Sequence, residues 1–476
     1  MSTTDIGAGT RSFAPAIGKE RALESLEAAL RDAPADRVEA FLTSRRGDFT
    51  RFAGARIHQS QAIDDVQIMV RAEVDGRVSR SATSSFDGLA RAVADSCAAA
   101  TEQARFGLPK APPRAAKAPG DSEPAVDRSI LWGEDTAAWD VADHSALAGR
   151  AMNAATEAGG VAAGIFGRAV TEVAFHDRED GMSRHAVASE AQGALTVRID
   201  DGSSHWKDLS RFSSRLAAEL AIDEALAGAS RTRGRAALPP GEYDVVLGPL
   251  AAGEFLDFFG AFGFTGSALS SGVGMVAQHP GELVASPLVS IHDDATADIG
   301  LPLPFDFQGT SKRDVPLIAA GRVGEVVTDR ETAYALGSHS TGHFHIAREE
   351  VPHAIPMNVV MRSGEQTEAE LIAGVERGVY IQRFWYTRTV DPVTSTITGV
   401  SRDACYMIEN GRIAYPVEST RFTASVLGAL ARVDGVGAAS LSQPLMNVFN
   451  GSATAPAIRV RGFALGTAPV RAEAGA

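Results

Sequence analysis

Apolar and polar positions change period several times along the 476-residue chain. In residues 17–30, Ala22, Leu23, Leu26, Ala29 and Leu30 recur at helical spacing and predict an amphipathic helix. Residues 35–43, behind Pro34, predict a second and weaker helix, since a proline is tolerated at a helix start. The period then shifts to two. Within residues 49–83, Val66, Ile68 and Val70 alternate with polar neighbours up to Val74, and Val78 follows Asp75 and Gly76. Asp-Gly between alternating runs predicts a type I′ hairpin, because both central residues need φ > 0. Residues 84–102 return to helical spacing, with Phe86, Leu89, Ala92, Val93 and Cys97 on one face. Cys97 therefore reads as a packed core thiol.

Residues 108–128 form a Pro/Ala-rich linker holding Pro109, Pro112, Pro113, Pro119 and Pro124. Beyond it, residues 144–158 predict a helix, 161–166 and 172–175 two short strands, and 194–199 a strand with alternating Leu195, Val197 and Ile199. A loose polar turn at 200–204 precedes a predicted helix over 209–227. Strand, polar turn, strand and Ala-rich helix thus occur twice. Pro239 and Pro240 mark a boundary. After it come a short strand at 243–247, an aromatic-rich helix at 251–262, and short β-like pieces rich in Gly and Pro. A last hairpin spans 405–413, with Asn410 and Gly411 at its turn. The expected fold is α+β: N-terminal α/β segments with antiparallel hairpins and flanking helices, then a β-rich C-terminal domain. Its units are a disordered start (1–15), a first segment (16–107), the linker (108–128), a second segment (129–236) and the C-terminal domain (237–470).

Composition narrows the classes. Hydrophobic residues make up 45% and charged residues 22%, which excludes whole-chain disorder. The 45 basic against 59 acidic residues leave a net charge of −14. With no run of five basic residues, a phosphate-tracking nucleic-acid protein is not expected. Two distant cysteines, Cys97 and Cys405, exclude a disulfide framework and any Cys₂ or Cys₄ zinc site. No apolar run reaches the roughly 18 residues of a membrane span, and the polar start carries no leader pattern, so a cytoplasmic location is expected.

No HExxH, GxGxxG, Walker A or GxSxG motif is present, and Gly272-Val273-Gly274 is too short to form a phosphate loop. The densest polar group is His339, His343 and His345, with His353 eight residues on. Imidazoles two apart on a strand face one way, so His343 and His345 are candidate metal ligands; Glu349 and Glu350 lie close by. The competing reading is a solvated glycine loop. His292, Asp293 and Asp294, with Asp298 nearby, read as a solvated loop or a cation site. His58 reads as structural, and Cys405 as a nucleophile only if a base stands beside it.

Several stretches in order resemble the TldD/PmbA family. They are Arg51-Phe-Ala-Gly-Ala-Arg-Ile-His-Gln-Ser60 before the Asp-Gly hairpin, Ser340-Thr-Gly342, Arg377-Gly-Val-Tyr-Ile381, Thr398-Gly-Val-Ser-Arg402, and Ile408-Glu-Asn-Gly-Arg-Ile413 with Pro416 and Val417. Together they cover residues 20–465. In that family, TldD-type subunits resemble zinc metallopeptidases, with an HExxxH helix and a later cysteine ligand. TldE/PmbA-type subunits share the fold, lack the metal motif and help enclose the peptide. The resemblance places the metal helix on 251–262, where Glu254, Asp257, Phe258 and Phe262 stand and histidine is absent. It places the cysteine ligand near Ser401 and Arg402, with Cys405 about three residues late.

The resemblance thus implies a metal-free, TldE-like subunit of a two-subunit peptidase. It implies no catalytic residue and no cofactor in this chain, with zinc in a TldD-type partner. The expected partners are that subunit, or a second copy of this chain, and a peptide. Two alternatives stand beside it: a stand-alone peptide-modifying enzyme with a rebuilt site, and a non-enzymatic homodimer that binds peptides. Phe255, Phe258, Phe259 and Phe262 form an apolar stripe that reads as core, part of it free to face a partner or peptide.

Overall fold

The computed structural model describes residues 13, 15, 17–116, 126–346, 353–446, 448 and 450–466. A helix, a three-stranded meander and a second helix form the first half of the N-terminal layer. They are α1 (Lys19–Leu30), β1 (Arg37–Gly54), β2 (Arg56–Val74), β3 (Arg77–Thr83) and α2 (Leu89–Arg105). After a short α3 (Glu134–Ala138), the plan repeats as α4 (Val141–Glu157), β4 (Val161–Asp177), β5 (Met182–Ile199), β6 (Gly202–Ser210) and α5 (Ala218–Arg231). The halves join where β1 pairs antiparallel with β4, giving one sheet in the order β3-β2-β1-β4-β5-β6.

The Asp75-Gly76 turn forms as its residues dictate, with φ of 46° and 74°. The second half departs from expectation. Its turn is tight, not loose: Asp200 adopts φ 53° and Ile199 pairs with Gly202. Leu209 and Ser210 then end β6, so the predicted helix starts at Ala218 and not at 209. The strands predicted at 161–166 and 172–175 are one strand, β4, and α2 begins at Leu89.

Residues 35–43 hold the clearest correction. They open β1 and form no helix. Val38, Ala40 and Leu42 pack on α1 and α2, while Phe41 on the opposite face packs on Phe305 and Phe307. Burial on both faces erases the alternation that would announce a strand.

The helices cover one face of this sheet. Leu26, Leu89 and Val93 pack over the first half, and Ala151, Ala155, Ile222 and Ala225 over the second. The other face lies against the C-terminal domain. The predicted linker is pinned there: Ala115 N donates to Arg330 O at 2.7 Å, and Arg114 bridges Glu39 and Glu331. Its residues 117–125 fall outside the described residues, as does most of the predicted disordered start. Phe13 is buried beneath Arg168, 4.1 Å from its ring centroid.

The C-terminal domain begins with β7 (Gly241–Leu247) and α6 (Pro249–Leu256), followed by short α7 (Gly266–Ser270) and α8 (Met275–Gln278). Then come β8 (Ile291–Asp294), β9 (Asp314–Ala319), β10 (Arg322–Val323), α9 (Arg330–Ala335), β11 (Phe344–His345), β12 (His353–Ala354) and β13 (Asn358–Met361). α10 (Glu368–Ala373), β14 (Arg377–Asp391), β15 (Thr396–Glu409), β16 (Arg412–Pro416), β17 (Arg421–Ser425), α11 (Val426–Ala431), β18 (Val433–Pro444) and β19 (Ser452–Leu465) complete it. The main sheet is mixed, with β7 parallel to β14 and β13 parallel to β19. The Asn410-Gly411 turn forms as predicted, between Glu409 and Arg412.

One edge stays open. Among the described residues, no strand pairs the outer edge of β2 before Ile68. His58 is an extra residue against β1, a bulge, and Asp64 and Asp65 are exposed beyond it. No described helix is long and apolar enough to cross a membrane.

Candidate functional site

α6 starts with Pro249 behind Gly248, a favoured helix opening. Leu250, Ala251, Ala252, Phe255 and Leu256 bury it in the C-terminal core. The helix ends at Leu256, so Phe258 and Phe262 follow in turns; both are buried, their rings 6.1 Å apart. The two acids on this segment, Glu254 and Asp257, are only half buried. Thr387 of β14 donates its hydroxyl to Glu254 Oε2 at 2.5 Å, and Met446 N donates to Asp257 Oδ1 at 2.8 Å.

β6 brings the N-terminal sheet to the same place. Ser442 N donates to Asp208 Oδ1 at 2.9 Å, and His205 N donates to Gln382 Oε1 at 2.9 Å, so the two domains are stitched there by backbone donors. Burial pushes Asp208 and Asp257 up to about 7 each. Burial also raises Glu254, against the pull of Thr387, Lys207, Arg383 and Arg388. The Lys207 ammonium is lowered by burial and by Arg383, opposed by attraction to Glu254 and Asp257. Asp257, raised toward neutrality beside the lowered Lys207 ammonium, makes this group a candidate proton-handling or ligand-binding site.

The β14–β15 hairpin flanks these acids. Two residues with positive φ, Tyr386 at 56° and Asp403 at 63°, interrupt its ladder and re-aim its side chains. Arg383 Nε donates to Asp403 at 2.5 Å. Trp385, 48% exposed, lies between Arg383 and Arg402, whose guanidinium carbons are 5.1 and 4.7 Å from its ring centroid.

The remaining sequence candidates scatter. Ser401 is buried, and its hydroxyl accepts from Thr420 N at 3.0 Å. Cys405 is buried in the core, and burial pushes its thiol up to about 11, which removes the nucleophile reading. The four histidines do not converge on one point. His339 is exposed. His343 precedes β11, with Thr341 Oγ1 2.9 Å from its Nδ1 and Asp293 Oδ1 2.9 Å from its Nε2. The His345 ring lies 5.0 Å from that of Phe307, tilted by 38°, and His345 pairs in register with His353. The two-apart rule fails because β11 is only two residues long and His343 lies outside it. Glu349 and Glu350 lie outside the described residues.

The run His292, Asp293 and Asp294 is strand β8 and not a solvated loop. Asp293 is fully buried, accepts from Asn358 N at 3.3 Å, and is held down at about 2 as His343 and Lys312 outweigh its burial. Asp298 pairs with Arg215 at 2.7 Å. Among the described residues, no group of three His, Cys, Asp or Glu is arranged to hold a metal.

Sequence reasoning missed Lys207, Asp208, Arg383 and Thr387. His205 and Lys207, polar and two apart, fit a strand with one wetted face, but that these side chains meet the acids of α6 comes from the domain packing.

Residues 240–467 match the PmbA/TldA metallopeptidase C-terminal domain, and residues 38–100 match PmbA/TldA metallopeptidase domain 1. A metalloprotease of Methanothermobacter thermautotrophicus is 29% identical over 199 residues, 42% of this chain and 43% of its own length. A TldD homolog of Buchnera aphidicola is 30% identical over 247 residues, 51% of this chain and 46% of its own. The matched stretch thus spans less than half the length of these curated relatives. TldE from Thermococcus kodakarensis shares the fold, with a TM-score of 0.79 at 17% identity, over 93% of this chain and 100% of that one. With both domain matches in order along a chain that folds the same way, this protein belongs to the PmbA/TldD metallopeptidase family.

Proposed function

We propose that this chain is a TldE-like, zinc-independent member of its family. It helps enclose a peptide where Lys207 of β6 faces Glu254 and Asp257, and a TldD-type partner supplies zinc and hydrolysis. The observation that carries this reading is the failure of the α6 region to fit a metal. Set on Glu254, the HExxxH frame puts Gly253 and Phe258 where histidines would stand. The first ligand position is thus a glycine with no side chain to offer, and the tip of Gln443 lies 2.9 Å from where its Cβ would stand. The Phe258 ring packs on Phe262, and the Cys405 thiol points into the core. Zinc needs about three protein ligands, and these residues supply none. No step of a reaction runs through a metal held by this chain.

In this reading the chain binds and orients. The half-buried Glu254 and Asp257 receive backbone or ammonium donors of the peptide, and Lys207 faces its carbonyls. The Arg383–Trp385–Arg402 stack walls the entrance. Glu254 keeps the sequence place of a general base without a metal-activated water beside it.

A second reading, a stand-alone enzyme with a rebuilt acid–base site, is favoured by Asp208 and Asp257 both titrating near neutrality. The same experiment separates the two. The chain is purified alone and with a TldD-type partner, analysed for metal, and assayed on peptides with and without chelator. The first reading expects substoichiometric zinc and no cleavage by the chain alone, with chelator-sensitive cleavage in the complex. Chelator-resistant cleavage by the chain alone supports the second. Zinc near one equivalent on the isolated chain overturns both.

A further inference from the structure

At the far end of the N-terminal sheet from α6, β2 and β3 wall a separate cavity of about 260 Å³. This is at the small end for a ligand site. Phe41, Met69, Phe307, Phe344 and Ile346 give it an apolar body. Its polar wall is Arg71, Arg80, Ser81 and Glu39.

The arginines are the unusual part. Arg71 is 6% exposed. Its Nη2 donates to Glu73 at 3.2 Å, but its Nε and Nη1, both shut off from solvent, have no hydrogen-bond partner. An orphaned buried donor costs roughly 1–3 kcal/mol, more for a charged group. The nearest acid does not resolve this. Glu39 stands 4.0 Å from Arg71 Nε and gives both oxygens to Arg114 at 2.8 Å.

Arg80 stands directly opposite Arg71 in the β2–β3 ladder. Like charges so placed repel. Among the described residues Arg80 has no carboxylate within ion-pair distance; its guanidinium carbon lies 5.8 Å from the Phe344 ring centroid. Arg80 is exposed at the cavity mouth, where partial burial and the Arg71 charge lower its pKa. Two facing cations, one with two orphaned donors, thus border an apolar cavity. An anion in the cavity would answer both positive charges, and the apolar wall calls for an apolar body behind it.

We propose that this cavity is a binding site for a small organic carboxylate with an apolar or aromatic body. The carboxylate lies between Arg71 and Arg80, and the body lies among Phe41, Met69, Phe307 and Phe344. A free aryl or branched-chain acid and the C-terminal residue of an apolar peptide present the same chemistry. No residue of α6 is needed for this site.

Isothermal titration calorimetry on the full chain tests it. The probes are 3-phenylpropionate for the free acid and glycyl-phenylalanine for a peptide C-terminus. Controls are 3-phenylpropionamide, which has the shape without the charge, and inorganic phosphate, which has the charge without the body. Saturable binding of at least one carboxylate is expected, and the tighter of the two identifies the source. Replacing the carboxylate by the amide should weaken binding about tenfold or more, the loss of one charge-assisted contact. Arg80→Gln, at the rim, should weaken it by a similar factor. Met69→Trp should remove it by filling the cavity, with circular dichroism confirming the fold of both variants. The proposal is overturned if neither carboxylate saturates in the millimolar range, if the amide or phosphate binds as tightly, or if both variants bind as the parent does.

Discussion

Glu39 on β1 and Asp208 on β6 are both acids withdrawn from water where the N-terminal sheet meets the C-terminal domain, yet their fates are opposite. For each, burial is the largest influence and favours the neutral form. Glu39 receives two guanidinium hydrogen bonds from Arg114, with Arg71 behind, and is held down at about 2. Among the described residues Asp208 receives only backbone donors, from Ser442 and Leu209, and it rises to about 7. The halves of the sheet share a strand plan and differ in where cations stand. Burial sets the cost of a charge, and a cation in contact decides whether it is borne. The first half is a locked ionic clamp, and the second is left free to titrate.

The largest effect should come from breaking the clamp. Arg114→Met leaves Glu39 buried and deprived of its bidentate partner, and should cost about 3–5 kcal/mol by chemical denaturation. Adding Glu39→Gln should recover much of that loss. Additive losses in the double variant would show that Arg114 acts through its contacts to Glu331 and to the strap at residues 108–116 instead.

Asp208→Asn sharpens the other side. The native carboxyl titrates near 7 against an ordinary value of 3.8, so between those pH values the folded chain holds a proton that the unfolded chain has lost. Stability therefore falls as pH rises through that window, and the penalty is complete above about 7. Asparagine removes the charge and keeps both backbone donors. It should stabilise the protein at pH 8 by on the order of 1–3 kcal/mol, and have little effect near pH 4. Melting curves at the two pH values check this; equal shifts at both would sink it.

The smallest effect is expected where the second half does use a cation. Arg150 of α4 reaches Asp223 of α5 with two bonds of 2.9 Å, but both groups are exposed. Arg150→Ala should change stability by less than about 1 kcal/mol, and less again at high salt. A loss as large as that of Arg114→Met would erase the distinction between buried and exposed pairs.

Which parts could be read from residues follows the same division. Wherever one face of an element meets water the sequence announces it, as in α1, α2 and the Asp75-Gly76 and Asn410-Gly411 turns. Where both faces are buried the signal vanishes, and β1 around Phe41 reads as a helix. Strand β6 fails for the opposite reason: Gly-Ser-Ser-His-Trp-Lys-Asp is too polar for a strand expected to be core. Its Lys207 instead faces the acids Glu254 and Asp257, carried by α6 and the turn after it. Glu254 and Asp257 could be singled out through family resemblance, while Lys207 and Asp208 required the domain packing. The histidine run misled because spacing alone does not tell whether a strand continues through it.

The open edge of β2 has a consequence for how the protein behaves when crowded with its own copies. Residues 59–67 present unpaired backbone along a sheet, the template from which fibrils grow. A second chain laid along that edge would have to set its strand against two adjacent aspartates and a ladder thrown out of step at His58. If the arriving strand were this same segment, four carboxylates would be brought together. The edge that is free to pair is thus made a poor partner for itself, and the exposed Asp64 and Asp65 are the residues that oppose its pairing with a second copy.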